Sequence, residues 1–188
     1  MEETTKSLAE AEIAGFPPWA QVALAARCAQ RLYPLMMNVR LDREGVLAHA
    51  VEFAARAAAE RGKEAPDRVA EAATTADKAI VSANDTLLAA SYAARAAGCA
   101  IQAVASILGV NPGKTPATKY ASEAFGAALR AIGAQRTAQT AILRDLKAVR
   151  TALEKNPDAP IGQDVFGPLW PEGPPPGWPS EPASPARK

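Results

Sequence analysis

Apolar residues in this chain return every three to four positions over long stretches, with no strand-like alternation between residues 9 and 159. Trp19, Val22, Ala26, Ala29 and Tyr33 share one helical face. Val46, His49, Ala50, Phe53 and Ala57 share a second, and Ile142, Leu146, Val149 and Leu153 a third. Local punctuation divides the pattern. Residues 4–14 read as a short helix ended by Gly15, after which Pro17-Pro18-Trp19 opens a second, where a first-turn proline costs nothing. Pro34 should bend or end that helix near Met36 and Met37. Asp42 is a candidate N-cap for a third helix that runs to about Arg61 and stops at Gly62.

From Pro66 onward, Val69, Ala73, Ala76, Ile80, Ala83, Leu87, Ala90 and Ala94 stay in phase, which predicts one long helix to about Leu108. Ser82 with Asp85 offers an alternative break. Gly109-Val110-Asn111-Pro112-Gly113 reads as a loop, and Thr115-Pro116 starts a last helical stretch to Lys155 with Gly133 as its interruption. The expectation is an all-α bundle of five to seven helices over residues 1–156.

Composition changes this picture at the C-terminus. Ten of the 16 prolines fall in residues 157–188, so that segment cannot continue the bundle and reads as a Pro-rich extended tail. Phe166, Leu169, Trp170 and Trp178 stand within it, and rings in a non-helical segment must find a groove or stay wet. Folding back onto the bundle is the favoured reading, with a docking strap for a partner and plain disorder as the alternatives. The 45 alanines imply close helix packing and carry no reactive group. Lys and Arg number 21 against 20 Asp and Glu, which argues against a polyphosphate-gripping protein. No apolar run is long enough to span a bilayer and no secretory signal opens the chain, so a cytoplasmic protein is expected. Cys28 and Cys99 read as buried free thiols rather than as a disulfide pair.

Chemistry-bearing residues are few. There is one histidine, no Gly-x-Ser-x-Gly turn, no phosphate loop and no cluster with metal-ligand spacing, so neither a metal nor a cofactor is expected. Arg136, Arg144, Lys147, Arg150 and Lys155 on the last helix, interrupted by Asp145 and Glu154, read as a solvated face. Asp77, Asn84 and Asp85 read as surface or as a polar contact to a neighbouring helix. Leu24-Ala-Ala-Arg27, Phe53-Ala-Ala-Arg56 and Tyr92-Ala-Ala-Arg95 echo one another, which fits arginine stems along an apolar edge with their heads in water.

Arg43-x5-His49 resembles the arginine–histidine motif of HEPN-type helical ribonucleases. That resemblance implies a metal-independent ribonuclease in which Arg43 and His49 polarise the scissile phosphate and move a proton. The stretch from Phe16 to Arg31, with Phe166-Gly-Pro-Leu-Trp170-Pro, resembles a group of uncharacterised alanine-rich helical bacterial proteins, implying a fold and a bacterial setting but no activity. The favoured expectation is a non-enzymatic interaction protein: an adaptor, an immunity or antitoxin-like partner, or a small subunit of an assembly. Its partner would be another protein or a second copy, not nucleic acid or a membrane. Trp19, Tyr33, Phe166, Leu169, Trp170 and Trp178 are the candidate anchors.

Overall fold

A computed structural model describes residues 2–38, 45–63, 66–83, 88–110, 115–133 and 135–178. The described residues form eight α-helices and no strand: α1 (Glu2–Ala14), α2 (Pro18–Asn38), α3 (Val46–Glu60), α4 (Pro66–Ala83), α5 (Leu88–Ile107), α6 (Ala117–Ile132), α7 (Arg136–Lys155) and the one-turn α8 (Gln163–Phe166). Seven are substantial and pack as a bundle, and α8 is the addition beyond the five to seven expected. No helix among the described residues is long and apolar enough to cross a membrane.

The centre of the bundle is α5, which packs against α2, α3, α4 and α6. Every residue from Ala96 to Ala105 is buried, all the way around the helix. A helix enclosed on every side needs neighbours at close range, and its run Ala-Ala-Gly-Cys-Ala-Ile-Gln-Ala-Val-Ala supplies the small side chains that permit it. Its polar member, Gln102, is satisfied inside the bundle. The amide nitrogen donates to Asp77 Oδ2 at 2.8 Å and lies 3.5 Å from the carbonyl of Ala73, both on α4.

That bond also corrects the single helix expected from Pro66 to Leu108. In one straight helix Asp77 and Gln102 would stand roughly 37 Å apart at 1.5 Å per residue, whereas here α4 and α5 pack side by side. The chain turns between Ala83 and Leu88, so the polar contact raised for Asp77 is present, while Asn84 and Asp85 lie outside the described residues. Pro34 is inside α2, which runs on to Asn38, four residues beyond it. Asp42, the expected N-cap of the third helix, also lies outside the described residues.

The stop after α3 shows why a glycine is needed there. Arg61 and Gly62 both take left-handed conformations, φ 53° and 72°, and the Gly62 N–H reaches back to the Ala57 carbonyl at 2.9 Å. A Cβ on Gly62 would overlap Cζ2 and Cη2 of Trp19 and approach Leu108 Cδ2 to 3.3 Å. Trp19 is therefore spent internally, its ring closing the bundle between α2, the end of α3 and the end of α5. Gly62→Ala is expected to destabilise the protein by about 2 kcal/mol or more, from the left-handed backbone together with ring displacement. Urea denaturation at unchanged m-value measures it.

Candidate functional site

Beyond α7 the chain turns at Asn156, whose side chain accepts the N–H of Asp158, and runs back over the bundle as a strap to Trp178. Ile161, Phe166 and Pro175 are buried in this segment. Val165, Trp170 and Trp178 are partly buried against the core. Leu169 is half-buried, as is Tyr33 on α2, which also packs against the core. The Trp170 and Trp178 rings meet edge to face with centroids 5.4 Å apart.

Beneath the strap is the most highly charged part of the interior. Arg31 is 1% exposed and makes a two-pronged bond to Asp145, itself 1% exposed, with Nε to Oδ2 at 2.7 Å and Nη2 to Oδ1 at 2.8 Å. Nη2 also lies 3.2 Å from the Ala141 carbonyl. Arg27, one turn earlier on α2, stands 3.5 Å from Asp145 Oδ1 and donates from Nη2 to the Gly167 carbonyl of the strap at 2.6 Å. The strap aromatics cover the cations: Phe166 lies 5.3 Å from the Arg27 guanidinium and Trp170 4.8 Å from that of Arg31. Phe166 and Trp170 thus cover the two cations one each.

Two guanidiniums thus share one carboxylate out of water. Burial lowers the Arg27 pKa, with Arg31 adding to the effect and Asp145 opposing it. Arg27 Nε, Arg31 Nη1 and, in the strap, Trp178 Nε1 are buried without a hydrogen-bond partner. A buried donor left unmade costs about 1–3 kcal/mol.

These positions correct two expectations. Asp145 does not interrupt a solvated face; it lies in the buried row Ala138, Ala141, Ile142, Asp145, Leu146 and Val149 of α7. Arg27 does not reach water, whereas Arg56 and Arg95, its counterparts in the three-fold echo, are exposed. The missed signal was phase: Asp145 sits three residues after Ile142 and four before Val149, on the same apolar seam.

The thiol of Cys28, next to Arg27, is fully buried, and Cys99 lies on α5 near Glu123 at 3.8 Å. Both are free, and burial pushes each up to about 12, with the carboxylates of Asp145 and Glu123 respectively raising them further.

A second feature is an open groove of about 520 Å³ between α3 and α4. Ala50, Phe53 and Ala72 make its apolar part, and His49, Glu52, Arg56, Arg68, Glu71 and Thr75 its polar rim. His49 is exposed, and its Nδ1 lies 2.8 Å from the Gly45 carbonyl. Since a carbonyl only accepts, Nδ1 carries the proton and Nε2 holds the lone pair of the neutral ring. Arg43, the other half of the candidate ribonuclease pair, lies outside the described residues. Among the described residues no three His, Cys, Asp or Glu side chains form a group able to hold a metal ion.

No family model, no curated protein and no solved structure matches this chain. The resemblance read from its two ends therefore stands only as far as the all-helical fold.

Two outcomes follow from this chemistry. Asp145→Asn leaves both guanidiniums buried without their counter-charge and is expected to cost about 3–5 kcal/mol in chemical denaturation. At pH 8 the thiols lie about four units below their pKa, so about one in 10⁴ is ionised. Ellman's reagent should therefore leave Cys28 and Cys99 unmodified in the native protein and titrate both in denaturant.

Proposed function

We propose that this chain is a non-enzymatic interaction protein of the bacterial cytoplasm, an adaptor or small subunit that docks a helical segment of another protein in the α3/α4 groove. The observation that carries this reading is the groove itself, an apolar trough with charges of both signs in a fixed order. Because α4 returns beside α3, Arg56 and Arg68 stand near the connection, Glu52 and Glu71 one turn further along, and His49 and Thr75 at the far end. The complementary ligand is an amphipathic helix with an apolar stripe, an acidic residue at one end and a basic residue one turn away. This reading moves the interaction surface away from the aromatic anchors expected from sequence: Trp19, Tyr33, Phe166, Trp170 and Trp178 all pack against the protein's own core.

The ribonuclease reading through Arg43 and His49 keeps one supporting observation: the exposed, oriented imidazole shares its groove with Arg56 and Arg68. One experiment separates the two. A photo-crosslinking residue at Glu71 or Thr75, compared with one at exposed Glu154, is expected to yield a protein adduct in the cell of origin. Combining Arg68→Glu with Glu71→Arg should reduce the Thr75 adduct by about tenfold. Absence of groove-specific protein adducts sinks the docking reading. RNA adducts, with RNA cleavage lost in His49→Ala, would establish the ribonuclease, and cleavage that survives His49→Ala would dismiss it.

A further inference from the structure

Among the described residues, the buried side-chain nitrogens that make no hydrogen bond are Arg31 Nη1, Trp178 Nε1 and Arg27 Nε, the last held only by a 3.5 Å ion pair to Asp145, and all occur where the strap and the α2/α7 face meet. Elsewhere in the bundle the buried amides are satisfied: Gln102 on Asp77, and Gln21 through a bond to the Phe16 carbonyl and one from Thr118. Among the described residues unmade hydrogen bonds are thus concentrated at one seam, and a seam that leaves donors unmet when closed regains water for them when it opens. The same seam holds a charge imbalance. Among the described residues Asp145 is the only carboxylate paired with Arg27 or Arg31, and Glu172 of the strap pairs instead with exposed Arg144 at 3.5 Å. The strap offers Arg27 a backbone carbonyl, which is a partial charge where a full one is lacking.

The geometry points to a lid: residues 159–178 cover an oxyanion site formed by Arg27 and Arg31, and a carboxylate or phosphate group takes the place of the Gly167 carbonyl when the strap lifts. Arg31, held from behind by Asp145 and the Ala141 carbonyl, and Arg27, one turn away on α2 and 3.5 Å from Asp145, present two guanidiniums to such a group. Asp145 fixes Arg31 and leaves the second positive charge for the ligand. The strap is then a competitor for the site as well as its cover, because Phe166 and Trp170 occupy the guanidinium faces and Gly167 an N–H. The site is independent of the α3/α4 groove.

Native-state hydrogen exchange of the full chain tests this, read by mass spectrometry in chloride, acetate or inorganic phosphate at equal ionic strength. An anion that binds only the open form raises its population in proportion to occupancy. Amides of α8 and the strap should therefore exchange about threefold faster or more in saturating phosphate or acetate, while α5 stays unchanged. Whichever anion acts at lower concentration identifies the ligand group as phosphate or carboxylate. Strap exchange that is identical in all three salts, or that occurs only together with α5, overturns the proposal. Trp170→Ala removes the ring over Arg31 and loosens the lid while keeping Arg27, Arg31 and Asp145, and should lower the half-saturating anion concentration by about the factor by which it raises opening in chloride; an unchanged value overturns it as well. Replacing the charges as a unit, with Arg27→Met, Arg31→Met and Asp145→Leu together, keeps the interior compensated and should abolish the response. A response that survives would place the anion elsewhere.

Discussion

Everything in this fold depends on how closely other helices approach α5. A helix buried over ten consecutive residues with mostly methyl-sized side chains gains little from each, so stability rests on many short contacts rather than a few large ones. Larger side chains such as Leu24, Leu32, Ile101 and Phe125 are interspersed among these small ones in the interior, and the tryptophans lie toward the outside. Trp19 closes the end where α3 stops, Phe125 fills α6, and the strap brings Phe166, Trp170 and Trp178 to the outer face of α2 and α7.

The charged seam beneath it is a different kind of contact. Hydrophobic burial tolerates sliding; a two-pronged guanidinium–carboxylate bond does not. Arg31 and Asp145 fix the register of α7 on α2, and Arg27 then fixes the strap through one carbonyl. The desolvation of three ions is the cost of that register, offset in part by the aromatic faces of Phe166 and Trp170.

The helical class was legible because the 3.6-residue period persists in every long segment, and the stops at Gly15, Gly62 and Gly133 were legible because each punctuates that period. The turn between α4 and α5 was not, since Ala83, Leu87 and Ala90 keep phase across it, and phase alone does not distinguish a continuous helix from a hairpin burying the same face. The charged seam was hidden for another reason. Arg27 and Arg31 belong to a face that looks amphipathic, Asp145 to a helix rich in surface charge, and nothing local couples residues more than a hundred positions apart. The tail aromatics announced a need for burial, but which surface they cover is set by tertiary contacts to Arg27 and Arg31. At the α3/α4 groove, the histidine was noticed from its rarity, while Arg68, Glu71 and Thr75 carry no sequence signal that places them opposite it.

The bond between Arg31 and Asp145 spans 114 positions, and the strap reaches the same face of α2 from still further along the chain. During synthesis α2 emerges before α7, so its cations acquire their counter-charge only after α7 has emerged, and their aromatic cover only after Trp170. Until then the two arginines and the Cys28 thiol are open to the surroundings. A chain interrupted between residues 38 and 145 contains all of α2 without its counter-charge, which leaves a basic, apolar surface uncovered.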